Sequence, residues 1–287
     1  MALFCWDAHH LARIEAWREE HGSRVAEWAR LVGEVELLAA LAVLRHDHPD
    51  WTFGDEAGPQ AGIRATEVRH PLLAPHEAVP NDVEVPEPGA LLLVTGSNMS
   101  GKSTLLRALG ANQILFLAGG PVAASEWTAP PVRPWTAMRI RDSLTRGVSF
   151  FLAELQRLRA VVDGAREGPT LVLLDEILQG TNTAERRIAA RMVLEHLLEA
   201  GAIGAVSTHD LTLGREPSLE SRMVEVHLRE DVQEVDGQRT LHFDHRLRPG
   251  PATSKNALLL MELVGLGRPG DADDPTPDRA EGAPPQP

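Results

Sequence analysis

The chain has 287 residues, of which 43% are hydrophobic, and it carries a formal net charge of -13 at pH 7. With a mean hydropathy of -0.17, this composition is typical of a globular chain with a sizeable core, and the single cysteine, Cys5, excludes an internal disulfide. The acidic balance excludes a chain that coats nucleic acid by its own positive charge, and no secretory signal or apolar run of the ~20 residues that span a membrane is present, so the sequence favours a cytoplasmic location.

Residues 1–48 are predicted to form a short helix and a longer one, with Gly22-Ser23 between them. Apolar side chains recur at three- and four-residue steps along one face of the second helix: Trp28, Leu31, Val35, Leu38 and Ala42. We expect this face to pack against the domain that follows, because it would otherwise remain in water. The segment is interpreted as a small helical addition to that domain.

Residues 49–267 are predicted to form one α/β domain, and residues 268–287 a disordered acidic and proline-rich tail. A short strand is predicted at 63–68, and from residue 90 onward strands and helices alternate, which indicates a three-layer sheet with helices on both faces. The strands are expected at 91–95, 171–174 and 203–207, and the helices at 102–117, 149–162 and 184–199. A late hairpin is expected from 223–229 and 240–247, with its turn at Asp236-Gly237.

The sequence between the predicted strand 91–95 and the predicted helix 102–117 has the G-x-x-x-x-G-K-[ST] pattern of a phosphate-binding loop. Its glycines allow backbone N–H groups to point at phosphate oxygens, and the helix N-terminus adds a favourable dipole. Lys102 would reach the β- and γ-phosphates, and the Ser103 hydroxyl would bind magnesium. We therefore predict an ATP site with Mg²⁺, formed by Gly96, Ser97, Asn98, Met99, Ser100, Gly101, Lys102, Ser103 and Thr104.

Three further polar residues follow predicted strands. Asp175 and Glu176 come directly after the strand 171–174, and His209 comes after the strand 203–207. Because ligands lie beyond the carboxyl ends of parallel strands, all three are expected at the same sheet edge as the loop. Asp175 suits a magnesium ligand, Glu176 suits the group that polarises the attacking water, and His209 can hydrogen-bond the γ-phosphate or that water. The sequence thus predicts ATP hydrolysis, with Glu176 and His209 as catalytic residues.

Several short segments carry a resemblance to a known family. Asn-Met lies inside the phosphate loop, as in the motif TGPNMGGKST, and other segments are similar to RHP, VPND, S-T-F-x-x-E, DEI with GTST, ATH and GAASKSYGL. They are found at residues 69–71, 79–83, 149–154, 175–177 with 180–183, 207–209 and 251–257. In these motifs the chain resembles the C-terminal ATPase domain of the MutS family of DNA mismatch repair proteins, a branch of the ABC-type ATPases.

The resemblance implies an ABC-type P-loop sheet and a dimer in which two ATPase domains enclose two nucleotides. It implies that Ser149 of one protomer approaches the γ-phosphate held by the other, as a third catalytic residue, and that His245 lies near the adenine. The partner would be a second copy or a paralogous MutS-like chain. ATP turnover would be coupled to mismatch repair or a related DNA transaction.

The chain departs from the family pattern at several positions. Leu178-Gln179 replaces Gly-Arg, Phe150 replaces the threonine after the signature serine, and Ala78 stands where an aromatic residue often stacks on the base. Residues 1–48 resemble at most the closing helices of the family's core region. The mismatch-reading, connector and clamp domains have no counterpart in the sequence, so we expect DNA contacts to come from a partner or from the missing domains.

Two other interpretations remain open at this point. The departures at Phe150 and Gln179 would also suit a degenerate MutS-like protein that binds nucleotide without turnover. An ABC transporter ATPase subunit would share the phosphate loop and the late histidine, but it requires an LSGGQ signature, which the sequence lacks.

Overall fold

The computed structural model describes residues 5–138, 150–178, 182–235 and 238–252. Its first part consists of two helices, α1 (Trp6–His21) and α2 (Val25–Asp47), joined by a 3₁₀ turn at Gly22–Arg24. The predicted helices and the break between them are therefore present. The two helices meet near the turn, where the ring centroids of Trp17 and Trp28 lie 6.3 Å apart.

The expected packing of the apolar face of α2 is wrong. No residue of α1 or α2, both described in full, is buried. Val35 and Leu38 expose 66% and 67% of their surface. The reason is that α2 touches the following domain near its end, where Arg45 donates to the carbonyls of Pro49 and Trp51 at 2.7 and 2.6 Å. Most of the face therefore has no surface of the described chain to pack against.

The remaining elements alternate between strands and helices, as predicted. The strands are β1 (Thr52–Phe53), β2 (Asp55–Glu56), β3 (Ile63–Val68), β4 (Asn81–Val85), β5 (Leu91–Thr95), β6 (Pro121–Val122), β7 (Glu126–Ala129), β8 (Arg133–Ala137), β9 (Thr170–Asp175), β10 (Ile203–Thr208), β11 (Met223–Val235) and β12 (Gln238–Pro249). The helices are α3 (Lys102–Leu117), α4 (Phe150–Glu167) and α5 (Thr183–Glu199).

The central sheet has six strands in the order β12-β11-β5-β10-β9-β8. All neighbours pair in parallel except β11 and β12, which form the predicted antiparallel hairpin. A smaller four-stranded sheet has the order β2-β7-β3-β4, and β1 pairs with β6. Because β5, β10 and β9 are adjacent and parallel, their carboxyl ends meet at one edge of the central sheet.

Side chains of the central strands point alternately to two hydrophobic clusters. On β5, Leu92 and Val94 face α3 and the small sheet, whereas Leu91 and Leu93 face α4 and α5. Burial on both faces explains why this strand is a continuous apolar run. The result is the predicted three-layer α/β fold of a P-loop ATPase, with the sheet between α3 on one side and α4 and α5 on the other.

The hairpin is longer than predicted and irregular. Between the pairs Leu228–Leu247 and Glu230–Phe243, residues 244–246 of β12 lie opposite a single residue of β11. This bulge places His245 in left-handed backbone, with a φ of 54°. The predicted turn at Asp236-Gly237 and the predicted tail at 268–287 lie outside the described residues.

In the described ranges, no helix combines the length and the apolar character that crossing a membrane requires.

Candidate functional site

The phosphate loop connects β5 to α3, and its backbone requires glycine at two positions. Gly96 has a φ of 144° and Gly101 a φ of 109°. A Cβ atom at Gly96 would lie 2.6 Å from the carbonyl oxygen of Leu228 on the neighbouring β11, closer than side-chain carbons approach. Gly101 is the N-cap of α3, so the loop ends at a helix N-terminus. The free N–H groups there can bind an anion.

Lys102 lies in the first turn of α3 and is 4% exposed. Its Nζ donates to the carbonyl oxygens of Gly96 and Ser97 at 3.0 and 2.7 Å and lies 3.6 Å from Glu176 Oε1. Burial lowers the pKa of Lys102, and the nearby carboxylates of Glu176 and Asp175 partly offset that effect. The loop therefore holds a buried ammonium group where phosphate oxygens would approach.

Glu176 and His209 form a direct pair at this edge. His209 Nε2 lies 2.5 Å from Glu176 Oε1, and His209 Nδ1 lies 3.0 Å from the carbonyl oxygen of Gly96. A neutral imidazole can donate to only one of these two oxygens. Glu176 Oε1 thus lies between Lys102 and His209. The three residues follow three neighbouring strands: Lys102 follows β5, Glu176 follows β9 and His209 follows β10. The structure brings these predicted site residues together.

Asp175 is 8% exposed, and its Oδ1 accepts a hydrogen bond of 2.6 Å from Ser207 Oγ. The same hydroxyl accepts from the backbone N–H of Glu176 at 3.1 Å. Ser207 therefore connects the two acidic residues from the adjacent strand β10. Sequence analysis gave Ser207 no role, although it lies in the segment 207–209 that is similar to ATH.

The backbone after β9 is unusual, because Glu176 and Leu178 have φ values of 51° and 64°. Left-handed backbone costs a residue with a side chain about 1–2 kcal/mol. The side chain of Leu178 is fully buried, and its backbone N–H donates to the carboxylate of Glu154 on α4. Residue 178 is also the place where the MutS pattern has glycine, so the departure noted from the sequence falls on a strained position.

A pocket with a cavity volume of about 160 Å³ adjoins the loop. His70, Ala78, Asn81, Met99 and His245 are among the residues that line it. His245 Nδ1 lies 2.8 Å from the carbonyl oxygen of Ser100. The Asn81 side chain donates to the His245 carbonyl at 2.9 Å and accepts from the backbone N–H of Leu247 at 2.6 Å. Asn81, which sequence analysis quoted without a role, thus holds the bulge that places His245 against the loop.

The other predicted site residues, apart from Ser149, belong to the loop or its helix. Ser103 and Thr104 lie in the first turn of α3, and Ser100 is buried, with its hydroxyl donating to the Ser97 carbonyl at 2.9 Å. Met99 is 81% exposed in left-handed backbone, with a φ of 71°, and Asn98 precedes it at the loop surface. Ser149 lies outside the described residues.

Together, the parallel sheet, the glycine-bounded loop and the acidic strand end define a P-loop ATPase fold. Residues 92–269 match the family model described as MutS domain V. The chain belongs to the MutS family.

Three relatives are similar over different shares of the chain. It is 33% identical to a DNA mismatch repair protein MutS of Natronomonas pharaonis over 264 residues, which are 88% of this chain and 30% of that protein. It is 34% identical to DNA mismatch repair protein MutS of Thermus thermophilus over 262 residues, 89% of this chain and 30% of that protein. Endonuclease MutS2 of Thermomicrobium roseum is 38% identical over 156 residues, 54% of this chain and 20% of that protein.

The matched region is therefore about 30% of the length of these mismatch repair relatives. Their names describe whole proteins, so their activities apply to this chain only as proposals.

Proposed function

We propose that this chain is an ATP-binding and ATP-hydrolysing MutS module, which forms a dimer around two nucleotides and acts in cytoplasmic DNA mismatch repair or a related DNA transaction. The observation that carries the proposal is the position of Glu176 Oε1, 3.6 Å from Lys102 Nζ and 2.5 Å from His209 Nε2, beside the phosphate loop. The alternative is that Asp175 and Glu176 are merely solvated acids at a strand end. That alternative does not account for the buried Lys102 on one side of Glu176 and for His209 on the other.

The loop would bind the triphosphate of ATP. Its backbone N–H groups and the α3 N-terminus supply positive dipoles, and Lys102 Nζ exchanges the carbonyl oxygens of Gly96 and Ser97 for phosphate oxygens. The adjoining pocket beside His245 and Ala78 would take the base. Because Ala78 stands where an aromatic residue often stacks on the base, selectivity for adenine would rest on other contacts of this pocket.

The residues also suit a magnesium ion, because a hydroxyl and a carboxylate are the hard oxygen ligands that it prefers. Ser103 and Asp175 would hold it, and the Ser207 hydroxyl donates to Oδ1 of Asp175. When bound, magnesium neutralises charge on the phosphates. The hydrogen bond from Ser207 would keep the Asp175 carboxylate in one orientation.

Glu176 would accept a proton from the attacking water at Oε1, and His209 would orient that water or the γ-phosphate. The pairing of Glu176 with His209 keeps this oxygen in place before substrate binds. In the dimer, Ser149 of the partner would approach the γ-phosphate across the interface. The exposed Met99 in the loop is consistent with a surface that a second ATPase domain covers.

The proposal is tested by steady-state ATP hydrolysis combined with size measurement at low and high ATP–magnesium. We expect turnover and a shift from monomer to dimer at high ATP, and both should disappear in Lys102→Ala because the loop then lacks its cation. Arg64→Ala, at an exposed ion pair with Glu84, is the matched control. Turnover that persists in Lys102→Ala would contradict the proposal.

A second candidate is a nucleotide-binding protein without turnover. Leu178-Gln179 in place of Gly-Arg favours it, because a basic residue of the family pattern is missing next to the acidic pair. In the same assay, an ATP-dependent size change without phosphate release would support this candidate instead.

DNA contacts in this proposal come from a partner or from other MutS domains, because the chain itself carries a formal charge of -13. The partner is a second copy or a paralogous MutS-like chain.

A further inference from the structure

The turn that carries Glu176 is held from two sides. On one side, the backbone N–H of Glu176 donates to the carbonyl and hydroxyl oxygens of Ser207 at 3.2 and 3.1 Å. On the other side, the N–H of Leu178 donates to the carboxylate of Glu154. The two left-handed residues of this turn, at φ 51° and 64°, need such restraints to remain in one conformation.

Glu154 is an unusual residue for its place in the fold. It lies on α4 and is 6% exposed, among the few buried charged side chains of the described chain. Burying a carboxylate is costly unless hydrogen bonds compensate. A bond from a backbone N–H to a carboxylate is stronger than one to a neutral acceptor. The contact with Leu178 therefore gives this buried carboxyl group a hydrogen-bond partner at the turn.

The same helix begins at Phe150, directly after Ser149. Phe151 and Leu155 of α4 pack on the cluster that includes Leu178. The turn beside Glu176 is thus attached to α4 both by the Glu154 carboxylate and by apolar packing. A shift of the start of α4 would be transmitted to the backbone that aims Glu176.

We propose that Glu154 is a positioning residue, which fixes the turn of residues 176–178 and so holds the Glu176 carboxylate between Lys102 and His209. The inference rests on the proposed function, in which Glu176 activates water. It adds that the helix following Ser149 sets the position of this carboxylate through the buried contact of Glu154 with Leu178, supported by apolar packing. Glu154 itself does not touch the phosphate loop in any described contact, so nucleotide binding should not depend on it.

This separation gives the test. Turnover and the dissociation constant of a fluorescent ATP analogue are measured for the wild type, Glu154→Ala, Glu154→Gln and Asp163→Ala. Asp163 lies on the same helix, is 45% exposed and pairs with Arg159, so its variant controls for changes to α4. We expect Glu154→Ala to lower kcat at least about tenfold, since small misplacements of reacting groups are costly, with affinity changed less than about twofold.

Glu154→Gln retains an acceptor oxygen, so it should recover part of the turnover, and Asp163→Ala should match the wild type. Equal losses of turnover and affinity in both Glu154 variants would show a general structural role and overturn the inference. Unchanged turnover in Glu154→Ala would overturn it as well.

A second readout separates this inference from the proposed function. Amide hydrogen exchange at Leu178, followed by NMR in Glu154→Gln, should be faster than in the wild type while amides in β5 are unchanged. A wild type that releases no phosphate would refute the proposed function, but faster exchange would still support the role of Glu154 in the turn. Unchanged exchange at Leu178 would refute that role whether or not the chain hydrolyses ATP.

Discussion

Leu178 combines a fully buried side chain with left-handed backbone. These two properties act in opposite directions, because the side chain stabilises the core while the Cβ atom strains the backbone. Glycine would suit the backbone and alanine would not. Substitutions at Leu178 can therefore distinguish the energy of side-chain packing from the energy of backbone strain.

We predict that Leu178→Ala lowers the free energy of unfolding by about 2–5 kcal/mol through loss of buried contacts. Leu178→Gly loses the same contacts but relieves the left-handed strain, so it should be more stable than Leu178→Ala by about 1 kcal/mol. Denaturant unfolding of both variants measures the difference. A glycine variant less stable than the alanine variant would contradict the left-handed conformation, because glycine is normally the more destabilising of the two.

Other residues at the site show how far sequence reasoning reaches. The loop pattern, Asp175, Glu176 and His209 could be located because each follows an apolar strand, and parallel strands align their carboxyl ends. Glu154 and Ser207 could not be assigned roles in this way. Their contacts join residues 24 and 31 positions apart, respectively, in the chain. No local pattern specifies which buried N–H such a side chain will reach.

At the scale of elements, the bulge in β12 is a device that aims one side chain. Asp244 accepts hydrogen bonds from Arg248 and from the backbone N–H of Arg246, at 3.0 Å for the latter. The Arg248 hydrogen bond lowers the pKa of Asp244 from 3.8 to about 2, against the opposing effect of burial. The ionised carboxylate thus helps to hold the bulge that contains His245.

This lowered pKa predicts a dependence of stability on acid. The stabilisation from ionised Asp244 is complete above pH 3.8, its ordinary value, and is lost as the pH falls toward about 2. Arg248→Gln should therefore destabilise the protein by at most about 1 kcal/mol near neutral pH, with the difference shrinking toward pH 2 as the Asp244 carboxylate is protonated. Urea unfolding across this range measures it. A difference that persists undiminished at the acid end would show that Arg248 acts through contacts other than the Asp244 carboxylate, such as its hydrogen bond to the Arg246 carbonyl.

The elements themselves were predictable to different degrees. Strand β5 and helix α3 have the bounds that the sequence indicates, because their apolar patterns are continuous and a glycine-rich loop separates them. The bulge in β12 was not predictable, since hydrophobic alternation does not reveal extra residues in one strand. The small sheet was not predictable either, because β3 pairs with β7 across about sixty residues, as in Ala65 with Trp127.

For the whole molecule, the apolar face of α2 marks the limit of pattern reasoning. Periodicity indicates that Val35 and Leu38 share a face, but it does not say what covers that face. In the described chain, nothing covers them, and the relatives that match this chain are about three times longer. The sequence thus predicted the helix correctly, but the face that it expected to be buried on the following domain is exposed in the described chain.

At the scale of the whole molecule, we propose that neighbouring strand ends form one site that hydrolyses ATP, with Glu176 as the group that activates water. Phosphate release at saturating ATP–magnesium, compared between the wild type and Glu176→Gln with nucleotide occupancy measured in parallel, tests it most directly. Glu167→Gln, an exposed carboxylate at the end of α4, is the control. We predict that Glu176→Gln lowers turnover at least about a hundredfold while it keeps ATP bound in a dimer. Turnover equal to that of the wild type would contradict the account.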